Sequence, residues 1–110
     1  MGNNMLWLFK PPFRSNLVVI SRHSGAIEWL REEFGIEGIP IISGNAIPED
    51  VSGKWIIGNV PLALACHALN GIIFAIEFTG TPPRGQEFSA NDMRAAGAHI
   101  VEYRVSLNKH

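Results

Sequence analysis

Short runs of apolar residues alternate with polar and glycine-containing stretches along the chain, and these runs predict five β-strands. Leu17–Ile20 is an unbroken apolar run rich in β-branched residues, which is typical of a strand buried on both faces of a parallel sheet. The other predicted strands lie at residues 39–43, 54–58, 72–78 and 99–107. Only the last of them alternates cleanly, so we expect it at an edge of the sheet or antiparallel to its neighbour.

Three segments between the strands carry apolar residues at the three- and four-residue spacing of a helix. The first begins near Ser24, a candidate N-cap, and ends at Gly35, which favours the left-handed backbone of a helix end. Its predicted buried stripe consists of Ala26, Ile27, Leu30 and Phe34. The second spans residues 62–70, and the third follows Ser89, which forms a capping box with Asp92. This order predicts one compact, Rossmann-like α/β domain in which a mostly parallel sheet is flanked by helices on both faces.

The remaining residues predict one N-terminal segment and two loops. Residues 1–16 precede the predicted domain, which spans residues 17–110. Within that segment Leu6–Phe9 fits a short edge strand, because two prolines stop anything longer, or an arm that docks on a partner chain. A plain extension ahead of the domain is an equal alternative. Residues 45–53 predict a loop with one helical turn at residues 48–50, and residues 79–87 predict a long loop.

Composition narrows the class of protein. A chain of 110 residues suits one domain. Charged residues make up only 17%, against about a quarter in a typical domain, which favours burial of surface in a homodimer. The net charge of −1 provides no field that attracts DNA, so any anion site must be local. The single cysteine, Cys66, excludes an intramolecular disulfide framework, and no apolar run approaches the roughly 20 residues of a membrane span. We therefore expect a cytoplasmic protein that binds neither DNA nor a membrane.

Several common kinds of site are absent from the sequence. It has neither the Gly-x-x-x-x-Gly-Lys phosphate loop nor Gly-x-Gly-x-x-Gly, the fingerprints of ordinary nucleotide cofactors. Its four histidines lack the paired spacing of a metal site, so we expect neither metal nor cofactor. Cys66 and His67 are adjacent on a predicted helix, where side chains diverge, and they make a poor nucleophile–base pair. Two acidic pairs, residues 32–33 and 49–50, suit a solvated helix face and a loop.

Polar turns follow the first, third and fourth predicted strands. In a parallel sheet the carboxyl ends of such strands converge on one crevice, where α/β sheets bind ligands. Arg22 offers a planar fork of donors that suits phosphate oxygens, and the imidazole of His23 can transfer protons near neutrality. With Ser21 they are the candidate catalytic residues, and we expect their turn to hold a phosphate at the positive end of the following helix. The candidate ligand-binding residues are Ser24, Gly25, Gly58, Asn59, Thr79 and Arg84.

These side chains also have structural alternatives. Arg22 can form an ion pair with Glu28 on the following helix. His23 can be a buried, hydrogen-bonded histidine or part of the helix cap. Asn59 is a candidate cap of the second helix. Arg84, in a loop rich in proline and glycine, is solvated unless that loop closes over the site.

Two segments of the chain carry motifs of a known family: Ile-Ser-Arg-His-Ser-Gly-Ala-Ile-Glu-Trp at residues 20–29 and Ile-Gly-Asn-Val-Pro at residues 57–61. They resemble a small accessory family of type III CRISPR systems. Members of that family carry a Ser-Arg-His-Pro-Gly-Ala-like turn and a Gly-x-x-Pro turn before the second main helix. Their Ala-Ala-Gly-Ala-like stretch near the end is matched by residues 95–98. The resemblance covers residues 17–105, and Ser24 stands where the family usually has proline without removing a donor from the turn.

The resemblance implies a minimal Rossmann-like domain that acts as a homodimer and is related to the CARF domains that sense cyclic oligoadenylates. It also implies a ring nuclease that cleaves cyclic tetra-adenylate without a metal and switches off the antiviral messenger. The family motif falls on Ser21, Arg22 and His23. Two other functions stay open: a module that binds the same messenger without cleaving it, and a structural or interaction domain, which the apolar, Trp-containing composition favours.

Overall fold

A five-stranded sheet forms the centre of the molecule in a computed structural model, which describes residues 5–81 and 88–108. The strands are β1 (Leu17–Ile20), β2 (Ile41–Ile42), β3 (Trp55–Ile57), β4 (Ile72–Phe78) and β5 (Ala98–Arg104). Their order across the sheet is β2-β1-β3-β4-β5, with β1 to β4 parallel. β5 lies at the edge and runs antiparallel to β4. The prediction of a mostly parallel α/β sheet with a distinct last strand is confirmed.

Helices cover both faces of the sheet, as predicted. They are α1 (Ser24–Phe34), α2 (Pro48–Val51), α3 (Leu62–Ala65) and α4 (Ala90–Ala95). Successive strand residues point to opposite faces, so β1 contributes Val19 to the core shared with α1 and α4, and Val18 to the core shared with α2 and α3. All four residues of β1 are buried, which explains why its sequence shows no alternation. None of the helices within residues 5–81 and 88–108 is long and apolar enough to cross a membrane.

The N-terminal segment packs on this core. Leu6–Phe9 forms a 3₁₀ helix, so the edge-strand prediction is wrong; a second 3₁₀ helix spans Phe13–Asn16. Leu8 and Phe9 are buried in the core on the α1 side. Trp7 lies edge-on to Phe13 and Phe74, with ring centroids 5.1 and 6.5 Å apart. A helical turn lets these large side chains cover the sheet, whereas a strand at its edge would leave every second one in water.

The first and third helices begin close to the predicted positions. His23, in an extended conformation, is the N-cap residue of α1, so the assignment of Ser24 to the cap is wrong by one residue. Ala26 and Leu30 of the predicted stripe are buried, and Trp29 is buried with them. Ile27 and Phe34, the other two residues of the stripe, are only half-buried. At α4 the predicted capping box is confirmed: the hydroxyl of Ser89 accepts the Asp92 N–H at 3.2 Å, and the Asp92 carboxylate accepts the Ser89 N–H at 2.9 Å.

The second predicted helix is much shorter than its sequence pattern suggests. α3 ends at Ala65, and the chain continues to a 3₁₀ turn over Leu69–Gly71. The Leu69 N–H donates to the carbonyl of Lys54 at 2.7 Å, which ties this turn to the start of β3. Asn70 has a left-handed φ of 56°, which ends the helical path. Tertiary contacts therefore override local helix propensity here.

Candidate functional site

The strand order reverses between β1 and β3, and a cavity of about 700 Å³ opens there. From β1 the chain moves outward to β2 on one side and then returns to form β3 on the other side of β1. The loops after β1 and β3 therefore leave in opposite directions and separate at the carboxyl ends of the strands. In open α/β sheets this is the crevice in which ligands bind.

The cavity combines an apolar interior with a few hydrogen-bonding side chains. The polar residues that line it are Ser21, Arg22, His23, Asn45 and Asn59. The large apolar residues that line it are Ile20, Leu64, Ile76, Phe78, Phe88 and Met93. Among the described residues of this lining, Arg22 is the one with a fixed charge, so the site offers a local positive centre in a nearly neutral protein. The predicted convergence of the turns after the first and third strands is confirmed.

The Ser21-Arg22-His23 turn is fixed by backbone hydrogen bonds on both sides. The Ser21 N–H donates to the carbonyl of Ile42 at 3.1 Å, which continues the pairing of β1 with β2. The Ser21 hydroxyl accepts the His23 N–H at 3.2 Å. The carbonyl of His23 then accepts the N–H groups of Ala26 and Ile27, the first bonds of α1. The turn thus leads directly from the buried strand to the helix N-terminus, where backbone dipoles favour an anion.

Arg22 is exposed, and its guanidinium donates from Nη2 to the side-chain Oδ1 of Asn45. The alternative ion pair with Glu28 does not form; Glu28 instead accepts from Arg31 at 3.2 Å along the exposed side of α1. The partner of Arg22 in this contact is a neutral amide, which leaves its positive charge uncompensated.

His23 is exposed rather than buried, so the alternative of a buried core histidine is wrong. Its ring lies nearly parallel to that of Phe88, at an interplanar angle of 16° and a centroid separation of 6.2 Å. Its side chain makes no capping hydrogen bond to α1. The imidazole therefore lines the cavity beside an aromatic wall.

Gly58 and Asn59 build the part of the cavity at the end of β3. Gly58 has φ +140°, and a Cβ atom there would overlap the carbonyl oxygen of Ile20. Only glycine therefore lets the end of β3 pass so close to β1. Asn59 Nδ2 donates to the carbonyl of Ile76 at 3.0 Å, and its Oδ1 accepts the Ile76 N–H at 3.0 Å. The prediction that Asn59 caps the second helix is wrong; its side chain instead continues the β3–β4 ladder.

Three of the other predicted ligand-binding residues, Gly25, Ser24 and Thr79, lie outside the wall of the cavity. Gly25 is buried in α1, where a Cβ atom would overlap the carbonyl oxygen of Phe88, so its role here is close packing. Ser24 is exposed in the first turn of α1. Thr79 is exposed and its N–H donates to the carbonyl of Gly97 at 3.3 Å, which directs it toward β5. Arg84 lies outside the described residues.

Asn45 and Phe88 line the cavity although the sequence analysis assigned them no role. Asn45 follows β2, whose carboxyl end lies at the same edge as that of β1. Ligands bind at the carboxyl ends of parallel strands, and this loop leaves such an end just as the turn after β1 does. The position of Asn45 at the cavity could therefore have been predicted from the topology. Phe88 carried no such signal, because it approaches the cavity through the crossing of its backbone over Gly25.

Behind the cavity, an ionic cluster joins α1 to α4. Arg94 donates to Glu33 at 2.8 Å, to the carboxylate of Glu32 and to Asn91 at 2.9 Å. The hydrogen bond that Arg94 donates to Glu32, followed by the one it donates to Glu33, raises the pKa of the Arg94 guanidinium above its ordinary value. The acidic pair at residues 32–33 is thus on the surface, as predicted, and it aligns the two helices that carry Ala26 and Met93 into the cavity. In the part of the chain that the structure describes, no three His, Cys, Asp or Glu side chains cluster as a metal site would require.

The chain matches the model of a known protein family over most of its length. The model of the family described as "Putative CRISPR-associated protein (Cas_VVA1548)" matches residues 18–106. That span contains every described residue that lines the cavity. No curated protein and no solved structure matches the chain.

Proposed function

Because the chain belongs to this family of CRISPR-associated proteins, we propose that it is a metal-independent ring nuclease that binds and cleaves cyclic tetra-adenylate. In this proposal the α/β domain is Rossmann-like and related to CARF domains, and it works in the cytoplasm as a homodimer. Cleavage of the cyclic messenger switches off type III antiviral signalling. The observation that carries the proposal is the position of Arg22, on an open turn at the cavity where the strand order reverses.

The cavity suits a nucleotide because it offers different chemistry to a base and to a phosphate. Its apolar wall, which includes Phe78 and Phe88, suits the faces of an adenine ring. The guanidinium of Arg22 suits the phosphate oxygens, which it can bind through two parallel hydrogen bonds. Ser21 and the N-terminus of α1 add neutral donors on the same side.

The proposed reaction is an internal transesterification of the RNA ring. The ribose 2′-oxygen attacks the adjacent phosphorus in line, and the bond from phosphorus to the 5′-oxygen breaks. The 2′-hydroxyl loses its proton and the departing 5′-oxygen gains one, so the products carry a 2′,3′-cyclic phosphate and a 5′-hydroxyl. Arg22 stabilises the charge that develops on the phosphorane oxygens, and His23 transfers a proton or stabilises the 5′-oxygen.

A homodimer matches the symmetry of the proposed ligand. Cyclic tetra-adenylate has four equivalent phosphates, and a two-fold axis presents the same turn to opposite sides of such a ring. Two copies of Arg22 then face the ligand even though each chain carries a net charge of only −1. Binding is thus driven by a local concentration of positive charge.

A second candidate is a module that sequesters the same messenger without cleaving it. The apolar majority of the cavity lining favours this function, since base stacking provides affinity without proton transfer. It requires the same cavity and the same Arg22 contact, so turnover alone separates it from the nuclease.

Incubation with cyclic tetra-adenylate in EDTA, followed by chromatography, tests the proposal. We expect linear products that end in a 2′,3′-cyclic phosphate, their absence with Arg22→Ala, and undiminished cleavage with Arg31→Ala. Arg31 is the matched control, because it is an exposed arginine of α1 paired with Glu28 outside the cavity. Intact ligand that is bound tightly by excess wild-type protein indicates the sequestering module. Intact ligand without binding refutes both functions.

A further inference from the structure

The contact between Arg22 and Asn45 joins two loops of the cavity. We propose that Asn45 is a positioning residue, which holds the guanidinium of Arg22 toward the ligand while leaving its charge available. This inference rests on the proposed function, in which Arg22 binds the phosphates of a cyclic oligoadenylate.

Asn45 restrains a side chain that has few other reasons to be ordered. Arg22 is exposed and has a long, flexible stem, so without a partner it would populate many rotamers. Its Nη2 donates to Asn45 Oδ1, and both residues line the cavity. The restraint therefore acts on the guanidinium, the group that would bind a phosphate. Because the side chain is already ordered, it loses less conformational entropy when the ligand binds.

The loop that carries Asn45 is itself fixed on both sides. Before it, Ile42 pairs with β1 and accepts the Ser21 N–H at 3.1 Å. After it, Ala46 packs against the core on the α2 side, and the Ile47 N–H donates to Asp50 Oδ2 at 2.8 Å. Both side chains are exposed, but that of Asn45 is short and belongs to a loop held at both ends, whereas that of Arg22 is long and flexible. The direction of the restraint is from Asn45 to Arg22.

The chemistry of the amide matters as much as its position. A carboxylate in the same place would also bind the guanidinium, but it would compensate the charge and repel a phosphate. Asparagine accepts one of the five N–H donors of the arginine and contributes no charge. An isosteric Asn45→Asp substitution therefore separates the two properties, because it keeps the acceptor for Arg22 and replaces the neutral NH2 group by a charged carboxylate oxygen.

The first test uses the free protein and needs no ligand. With ¹⁵N-labelled arginine, the heteronuclear NOE of the Arg22 Nε–H group reports its motion on the picosecond to nanosecond scale. We expect an ordered group in the wild type and a mobile one in Asn45→Ala. The matched control is Asn91→Ala, since Asn91 Oδ1 accepts from Arg94 at 2.9 Å outside the cavity. That control should leave Arg22 ordered. A mobile Arg22 in the wild type, or an ordered one in Asn45→Ala, overturns the proposal.

The second test measures, by calorimetry, the affinity for the 2′-deoxy form of cyclic tetra-adenylate, which lacks the attacking hydroxyl and stays intact. We expect about a tenfold loss with Asn45→Ala, a larger loss with Asn45→Asp, and less than a twofold change with Asn91→Ala. A merely structural role predicts the opposite order for the two Asn45 variants, because aspartate preserves the shape of the loop. Equal affinities of the wild type and Asn45→Ala, or that opposite order, overturn the proposal. Failure of the wild type to bind the cyclic nucleotide refutes the proposed function instead, and the NMR result still decides whether Asn45 orders Arg22.

Discussion

The side-chain amide of Asn59 forms two hydrogen bonds with the backbone of a single residue, Ile76. Its Oδ1 accepts the N–H of Ile76 and its Nδ2 donates to the carbonyl of the same residue. The Gly58 N–H donates to the carbonyl of Phe74 at 3.0 Å, so the side chain of Asn59 adds the next rung of the β3–β4 ladder. At the scale of single residues, the cavity therefore depends on the Asn59 side chain. Beyond the end of β3 it forms the two hydrogen bonds to β4 that a strand backbone would otherwise form.

Asn59→Asp should destabilise the protein at neutral pH. The substitution removes the donor to the Ile76 carbonyl and places a carboxylate against that oxygen, at a cost of about 1–3 kcal/mol. Urea denaturation measures the change in the free energy of unfolding. Asn91→Asp is the control, because a carboxylate there still accepts from Arg94 and should change the stability by less than about 0.5 kcal/mol. Equal stability of Asn59→Asp and the wild type contradicts this role.

Tyr103 gives a second residue-scale prediction, because it is the single tyrosine of the chain. Its hydroxyl donates to Glu77 across the β4–β5 pair, and this hydrogen bond, followed by burial, raises the pKa of the phenol above its ordinary value. The Tyr103–Glu77 hydrogen bond therefore contributes fully to the stability of the fold at any pH below the pKa of the phenol in the unfolded chain. This contribution is lost as the pH rises through the higher pKa of the phenol in the folded protein. Absorbance at 295 nm follows the titration. Glu77→Gln should lower the midpoint, and an unchanged midpoint contradicts the contact.

At the scale of elements, the cavity wall depends on how closely α1 meets the chain entering α4. Gly25 gives the Phe88 backbone room to cross α1, and Arg94 on α4 binds the carboxylates of Glu32 and Glu33 on α1. The crossing places Phe88 against the ring of His23. The absence of a side chain at Gly25 thus determines both how closely the chain entering α4 packs on α1 and where Phe88 lies in the cavity wall.

Gly25→Ala should destabilise the fold even though alanine is the better helix former. Propensity favours alanine by about 1 kcal/mol, but the new Cβ overlaps the carbonyl oxygen of Phe88, and overpacking of this kind costs about 1–3 kcal/mol. We expect a net loss of stability in urea denaturation and a weaker His23–Phe88 contact. Gly44→Ala is the control, since a Cβ there has open space around it. A stabilised Gly25→Ala protein contradicts the close approach.

The elements that could be predicted from sequence are those fixed by a strong local pattern. β1 follows from an unbroken apolar run and β4 from a run interrupted only by Glu77, and α4 begins at the capping box of Ser89 and Asp92. The elements that differ are set by distant contacts. Leu6–Phe9 is helical because its side chains cover the sheet, and α3 is short because the turn after it bonds to Lys54.

The site was predictable to the extent that topology determines it. Alternation of strands and helices places the turns after β1 and β3 at one edge, so Arg22, His23 and Asn59 meet at the cavity. The partners of these side chains could not be predicted, because they depend on register and on loop paths. Asn45 reaches Arg22 across 23 positions of the chain, and Asn59 reaches Ile76 across 17.

At the scale of the whole molecule, the fold places the guanidinium of Arg22 at the point where the strand order reverses. The net charge of the whole chain is only −1. A nearly neutral protein attracts no polyanion at long range, so an affinity for a small cyclic RNA must arise at the cavity itself. The apolar wall for a base and the guanidinium for a phosphate are both present there. The proposed function therefore depends on Arg22 as the anion-binding group.

The most direct measurement is the shift in melting temperature caused by the 2′-deoxy form of cyclic tetra-adenylate, which cannot be cleaved, compared among the wild type, Arg22→Ala and Arg31→Ala. A ligand that binds only the folded state raises the melting temperature. We predict a clear rise for the wild type and for Arg31→Ala, and almost none for Arg22→Ala, whose melting temperature without ligand stays close to that of the wild type. An equal rise for Arg22→Ala, or no rise for the wild type, would contradict the claim that this turn binds the phosphates of a cyclic oligoadenylate.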